Sequence, residues 1–341
     1  MRIRTISVAL GLSAVVVLTL LLVGLGQTAR GTGSGPFGDG SDGAKTYSVS
    51  ETDAPKDAVV DSGTASSTTL VVSGVGSAFV AGEKILIHQT RGNAAGSWEM
   101  NTVQSYGLGN ITTVSPLVNS YNTSGADAAQ VVVVREFTDL TVDAGVTVSA
   151  KAWNGSVGGI YAVFADGTAT INGAIVANGA GYRGEANGGG IDEGGKAGEG
   201  SSGPPVTQTA ANGNGGGGSA GGGDTAGGGG GGHATAGQTG GTGTLPPAET
   251  PGQGGGAVGV PELTAVFFGG AGGNAGNNGQ TQAMKRGGNG GGLVIIFAET
   301  YVGGSSASLS ANGDDGDGAQ TSNQGGHGGG GQGVRYSSLR M

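Results

Sequence analysis

Few side chains here are of types that do chemistry, and they stand far apart. The histidines are His88, His233 and His327. A histidine works as a general base or metal ligand only beside a carboxylate or a second ligand, and none lies near these in sequence. His88 falls in a strand-like run with Lys84 and Leu86 on its face, so a surface position is expected. His233 and His327 lie within glycine runs. Trp98 and Trp153 are the only tryptophans. In a chain poor in aromatics each is a candidate stacking platform for a sugar ring, against the commoner role of a core residue. The sequence holds no cysteine, which excludes zinc-thiolate sites, disulfides and thiol catalysis.

The short motifs are weaker. Gly190–Ala197 has the glycine and lysine spacing of a phosphate-binding loop, but Ala197 stands where a magnesium-binding hydroxyl is needed and no strand leads into it. The Asp39–Gly43 and Asp314–Gly318 runs place carboxylates around glycines, a density that suits calcium. Neither continues to the glutamate that closes an EF-hand, so both read as solvated turns. Asn110, Asn122 and Asn154 begin glycosylation sequons. These residues define no catalytic centre, cofactor site or metal site, and the chain reads as a non-enzyme.

Composition narrows the class further. Glycine supplies 81 of 341 residues, about three times the usual share, while 11% are charged and 5% aromatic. The formal net charge is -9 with pI ≈ 4.7 and mean hydropathy -0.03. Scattered basic residues in an acidic chain argue against nucleic acid as a partner.

Arg2 and Arg4 precede an apolar run from Ile6 to Leu25, about the length that crosses a bilayer as a helix. Residues 1–30 therefore read as a signal peptide or an N-terminal membrane anchor, with the remainder outside. Residues 31–45 form a glycine- and serine-rich tether. Residues 46–138 read as a small β domain with strand-like runs at 69–73, 84–89, 111–114 and 130–135.

Residues 139–181 carry the clearest periodicity. Leu140, Val142, Ala144, Val146, Val148 and Ala150 alternate with polar or small residues, which predicts one half-buried strand. Ile160–Ala165 and the alternating Ala169–Ala177 follow at the spacing of a meander or of parallel solenoid rungs. An internal repeat favours the solenoid. Gly158-Gly159-Ile160 leads to Ala177-Asn178-Gly179, and Gly291-Gly292-Leu293 leads in the same way to Ala311-Asn312-Gly313. Between the copies, residues 182–285 form a low-complexity glycine-rich insert without the Gly-X-Y period of collagen. It is either a flexible linker or a packed bundle of threefold threads of the polyglycine II type. The apolar islands Leu263–Phe268 and Leu293–Phe297 favour the bundle, as strands that pin it. Residues 286–341 return to the repeat and to glycine. The last residues, Val334–Met341, lack the strand that the pattern would place after a glycine run, as a truncated end would.

The run Ala81–Gly92, the segment Ala150–Gly159 and the Gly-Gly-x-Gly-Gly-Gly-strand pattern at Gly287–Phe297 resemble glycine-rich secreted bacterial surface proteins. The insert is also similar in composition to polyglycine regions of phage tail-tip adhesins. The resemblance implies location and architecture more than activity. The expectation is an all-β chain: a small β domain, then a short parallel β-solenoid-like region with a glycine-rich insert. Its function would be that of an exported, structural or adhesive surface protein. Partners would be a surface polysaccharide, other surface proteins or a second copy, with membrane contact only through residues 6–25. A polysaccharide-acting β-helix enzyme such as a lyase is the first alternative, but Asp143, Lys151 and Asp166 are too sparse for its chemistry. Ice binding is the second, and Thr141, Thr147, Thr168 and Thr170 form too short an array for it.

Overall fold

A computed structural model describes residues 16–18, 35–184, 194–219, 226–242, 250–260, 262–275 and 285–317. Among them the chain is all-β, with parallel and antiparallel pairings and no α-helix. Its strands are β1 (Val16–Leu18), β2 (Lys45–Tyr47), β3 (Glu51–Asp53), β4 (Asp57–Gly63), β5 (Thr69–Ser73), β6 (Lys84–Arg91), β7 (Trp98–Gly107) and β8 (Asn110–Thr113). They continue with β9 (Tyr121–Asn122), β10 (Ala128–Phe137), β11 (Leu140–Val142), β12 (Thr147–Ala150), β13 (Ile160–Ile171), β14 (Ala174–Val176), β15 (Leu293–Gly303) and β16 (Ser308–Ser310).

Strands β4, β5, β8, β7, β6 and β10 pair antiparallel in that order, and β10 pairs back onto β4. The ring closes, so no edge is left open. Ile85, Ile87, Val103, Ile111, Ala129 and Val131 fill its interior. Residues between these on β6 and β10, such as Leu86, Val132 and Val134, belong to the second, larger core. Both faces of these two strands are thus buried, which is why Ile85–Ile87 and Val131–Val134 read as unbroken apolar runs.

Two parallel ladders lie beside this barrel. One runs β2–β11–β13–β15 and the other β3–β12–β14–β16. Successive strand pairs therefore stack in the same order in both ladders. The ladders begin at Lys45, and the barrel that starts at Asp57 is inserted between their first and second strand pairs. The boundary expected at 46–138 divides the first strand pair from the rest of its stack. The internal repeat is one strand pair laid on the next: Ile160 opposes Leu293, Val163 opposes Ile296 and Ile175 opposes Leu309. The Asn-Gly turns also meet, with Gly179 N donating to Asn312 O at 2.9 Å.

The alternation from Leu140 to Ala150 does not make one strand. It breaks at a turn closed by Val146 N donating to Asp143 O at 3.1 Å, with Gly145 at φ 79°. Leu140, Val142, Val146 and Val148 still face the core on both sides of the corner. Leu263–Phe268 is not a strand either. Leu263 sits at φ 57° and Val266 N donates to Gly96 O on a barrel loop, so the segment is an irregular plug. Leu293–Phe297 does form a strand, the first part of β15.

The described parts of the glycine-rich region run as extended segments at 194–200, 215–219, 226–232, 237–242, 252–256, 268–275 and 287–292, with a turn at 213–214. They are tied side by side by backbone hydrogen bonds whose donors recur every third residue. Gly229 and Gly232 donate to Gly217 and Asn214, and Gly273 and Gly270 donate to Gly229 and Gly232. Gly272 and Gly269 donate to Gly288 and Gly291, and Gly240 and Gly237 to Gly252 and Gly255. No helix among the described residues is long and apolar enough to cross a membrane. The 6–25 run lies outside the described residues except for Val16–Leu18, which form strand β1.

Candidate functional site

The barrel, the ladders and the glycine segments meet around Phe268. Its ring is 5.7 Å from Trp153, 5.4 Å from Tyr182 and 5.7 Å from His88. The close approach needs the Gly158-Gly159 turn, with φ of 105° and 81°. A Cβ on Gly159 would stand 2.4 Å from the Phe268 ring, and one on Gly158 would stand 2.3 Å from Ala152 O.

A continuous chain of hydrogen bonds runs through this junction. Gln130 Nε2 donates to Thr90 Oγ1 at 3.0 Å and to Gly158 O at 3.0 Å. Thr90 Oγ1 and His88 Nδ1 are 3.0 Å apart, and His88 Nε2 lies 2.9 Å from Val266 O. A carbonyl can only accept, so Nε2 carries the proton and Nδ1 accepts from the Thr90 hydroxyl. The Tyr182 hydroxyl donates to Thr90 O. His88 is fully buried, and burial lowers its pKa to about 4, partly offset by its bond to Val266 O. The expected surface position for His88 is therefore wrong. Its strand packs on two cores, and alternation alone assumes only one.

Glu199 anchors the other side. It is 0% exposed and pairs with Arg91 and with Arg183, whose Nε lies at 3.0 Å. It also accepts from Trp153 Nε1 at 3.0 Å and from the Arg183 backbone N–H at 3.0 Å. One carboxylate thus ties the barrel (Arg91), the loop after β12 (Trp153) and a glycine segment together. Such a buried charge is tolerable because each oxygen is paired and hydrogen-bonded.

The two tryptophans differ from each other. Trp153 is 3% exposed and packed edge-on to Phe268, which leaves no ring face for a sugar. Trp98 is half-buried, and its indole N–H donates to Leu263 O at 2.8 Å. Both clasp the plug segment. His233 is also buried, and burial lowers its pKa to about 4. His327 lies outside the described residues.

The acidic loops tie down backbone. Asp39 accepts from Ser41 N at 2.9 Å, and its pKa is lowered chiefly by the Ser41 side-chain hydroxyl, with the backbone bond adding less. Asp42 accepts from Glu136 N at 2.7 Å. Asp314 accepts from Asn289 Nδ2 at 3.3 Å, and Asp317 from Arg286 N at 3.1 Å. Among the described residues no group of three or more His, Asp or Glu side chains could hold a metal ion. Of the phosphate-loop-like run, residues 190–193 lie outside the described residues. Lys196 and Ala197 spend their backbone groups within the glycine array: Asn274 N donates to Lys196 O, and Ala197 N donates to Val206 O. Asn154 is exposed, with its side-chain oxygen accepting from Ser156 N and Val157 N at 2.9 Å. Asn110 and Asn122 lie in β8 and β9.

Sequence reasoning missed Glu199, Gln130, Thr90 and Phe268. A lone glutamate within a glycine tract is a usable signal for Glu199. Gln130 had none, because its partners Gly158 and Thr90 lie 28 and 40 residues away.

No protein-family model and no curated protein matches this sequence. Among solved structures, the Gp54 tailspike of Acinetobacter baumannii bacteriophage AP22, solved in complex with A. baumannii capsular saccharide, is similar over part of the chain. The match is 11% identical with a TM-score of 0.23, and covers 36% of this chain and 22% of the tailspike.

Proposed function

We propose that this chain is an exported, non-catalytic scaffold of the cell surface. In this reading the stacked strand pairs are rungs of a short β-solenoid, and the glycine segments are threads of a polyglycine II array docked on it. The observation that carries it is the three-residue recurrence of backbone donors between neighbouring glycine segments, as in Gly229/Gly232 to Gly217/Asn214. Three residues per turn with all bonds between threads is the geometry of that conformation. The buried junction supports a structural role. Its histidine is sealed between Thr90 and Val266, and its carboxylate is committed to Arg91, Arg183 and Trp153. Arg2 and Arg4 ahead of the apolar run support export. The adhesive surface would be the exposed connections between threads, such as residues 234–236, offered to a surface polysaccharide or another surface protein.

Two measurements test this. A reporter fused after Gly43 is expected outside the cytoplasmic membrane, and a cytoplasmic reporter defeats the location. Amides of Gly227, Gly229, Gly230 and Gly232 are expected to exchange at least a hundredfold more slowly than random coil. Random-coil rates throughout that segment would leave only a flexible linker.

A further inference from the structure

We infer that the outer edge of β15 is a strand-accepting surface, and that its occupant is the apolar N-terminal segment of the same chain. Seating on that edge and insertion into a membrane then exclude one another. This stands independently of the glycine array.

The two ends of the ladders differ. The outermost strands at one end, β2 and β3, are blunted by charge: Lys45 pairs with Glu51 at 3.6 Å, and its ammonium lies 4.3 Å from the Tyr47 ring. Charged side chains on an edge strand discourage further pairing. At the other end, from Leu293 to Ser310, Glu299 is the only charged residue and proline is absent. The six residues Leu293–Ala298 are apolar and uncharged, the composition of a segment that pairs with any available strand when uncovered. On one side this stretch pairs parallel with β13. On the other it carries β1, with Val16 opposite Ile295, Val17 opposite Ile296 and Leu18 opposite Phe297. That pairing is also parallel, so β1 extends the order β11–β13–β15 by one more strand.

The occupant comes from the middle of the Ile6–Leu25 run. A run of about 20 apolar residues is used from end to end when it spans a bilayer as a helix. Its central residues cannot then also bond to β15. Leaving the membrane frees them to cover the apolar edge of β15, which no charged residue blunts over Leu293–Ala298, and cleavage would expose that edge.

The absence of native cysteine makes the test direct. In the full chain carrying V17C and I296C, mild oxidation is expected to give an intrachain disulfide. Neighbouring strands lie about 4.7–4.9 Å apart, within the span that a disulfide bridges. No bond in the double variant, or a bond only between mixed single variants as a dimer, would overturn the inference. Because Ile296 is buried, V17P provides a second route that leaves the core intact. It removes a strand N–H, and amides within Leu293–Ala298 are expected to exchange at least tenfold faster; unchanged exchange overturns the inference as well. Vesicles of phosphatidylethanolamine and phosphatidylglycerol should lower the crosslinking yield severalfold. An unchanged yield would rule out the mutual exclusion.

Discussion

The ladders and the glycine array solve the same packing problem with opposite materials. In the ladders, Leu140, Val148, Val163 and Ile175 interdigitate, and backbone bonds run along strand pairs. In the array there is almost nothing beyond backbone. A Cβ on Gly216 would stand 2.0 Å from Gly229 O, one on Gly228 2.0 Å from Gly273 O, and one on Gly270 1.7 Å from Asn214 O. Within the described glycine-rich region the only glycines with a positive φ are Gly213, in a turn, and Gly259. Glycine is required there by the nearness of the neighbouring thread, and its unusual backbone freedom is scarcely used. The entropy lost by ordering so much glycine must be offset largely by bonds between neighbouring segments, because the described segments carry few side chains to do it.

The comparison breaks most clearly in the ladders. Val163→Asp places an unpaired charge between two paired strands and should cost about 4 kcal/mol or more, enough to abolish a cooperative melt. Thr147→Asp, on the outer face of the same stack, should melt within a few degrees of the parent. Equal melts for the two would mean that side-chain packing does not hold the ladders.

The junction between the regions is sharpened by acid. His88 is held neutral with its pKa lowered to about 4, so the unfolded chain binds a proton that the folded chain refuses. Stability is therefore full above about pH 6.5 and is lost as pH falls toward 4, by about 3 kcal/mol. His233 shifts in the same direction. Thermal melts across this range should show the loss, and His88→Gln should flatten the slope. A parent protein equally stable at pH 7 and pH 4 would show that the buried histidine contributes nothing.

The smallest effect lies within the array. Gly216→Ala should lower the melting temperature by the equivalent of about 1–3 kcal/mol, since backbone must move to admit the methyl group. Gly241→Ala has no atom within 4 Å of its added Cβ and should be neutral or stabilising by about 0.4–1 kcal/mol. Two alanines with the same effect would remove the distinction between packed and free glycine.

Much of the β character was legible. The runs 69–73, 84–89 and 130–135 lie within β5, β6 and β10, because β-branched residues between turn signals suffice to locate strands. The repeated Gly-Gly entry and Asn-Gly exit also marked two strand pairs that stack in register. The corner at Asp143–Val146 was hidden because alternation continues through it. The plug Leu263–Phe268 has the composition of a strand, but it buries Val266 and Phe268 without a ladder to join. His88 was misplaced because alternation cannot show that a second core lies behind a strand.

What the sequence determined by itself is local: where several of the strands occur, which of their positions are apolar, and that the glycine tract carries too few side chains to build an ordinary core. These follow from residue type and from the two-residue period of a strand. Tertiary structure alone decided that β10 closes a barrel onto β4, that this barrel is inserted within the ladders, and that Glu199 joins three regions through Arg91, Arg183 and Trp153. Those pairings span long stretches of chain. Their free energy comes from desolvation and hydrogen bonding between groups that no local pattern relates to one another.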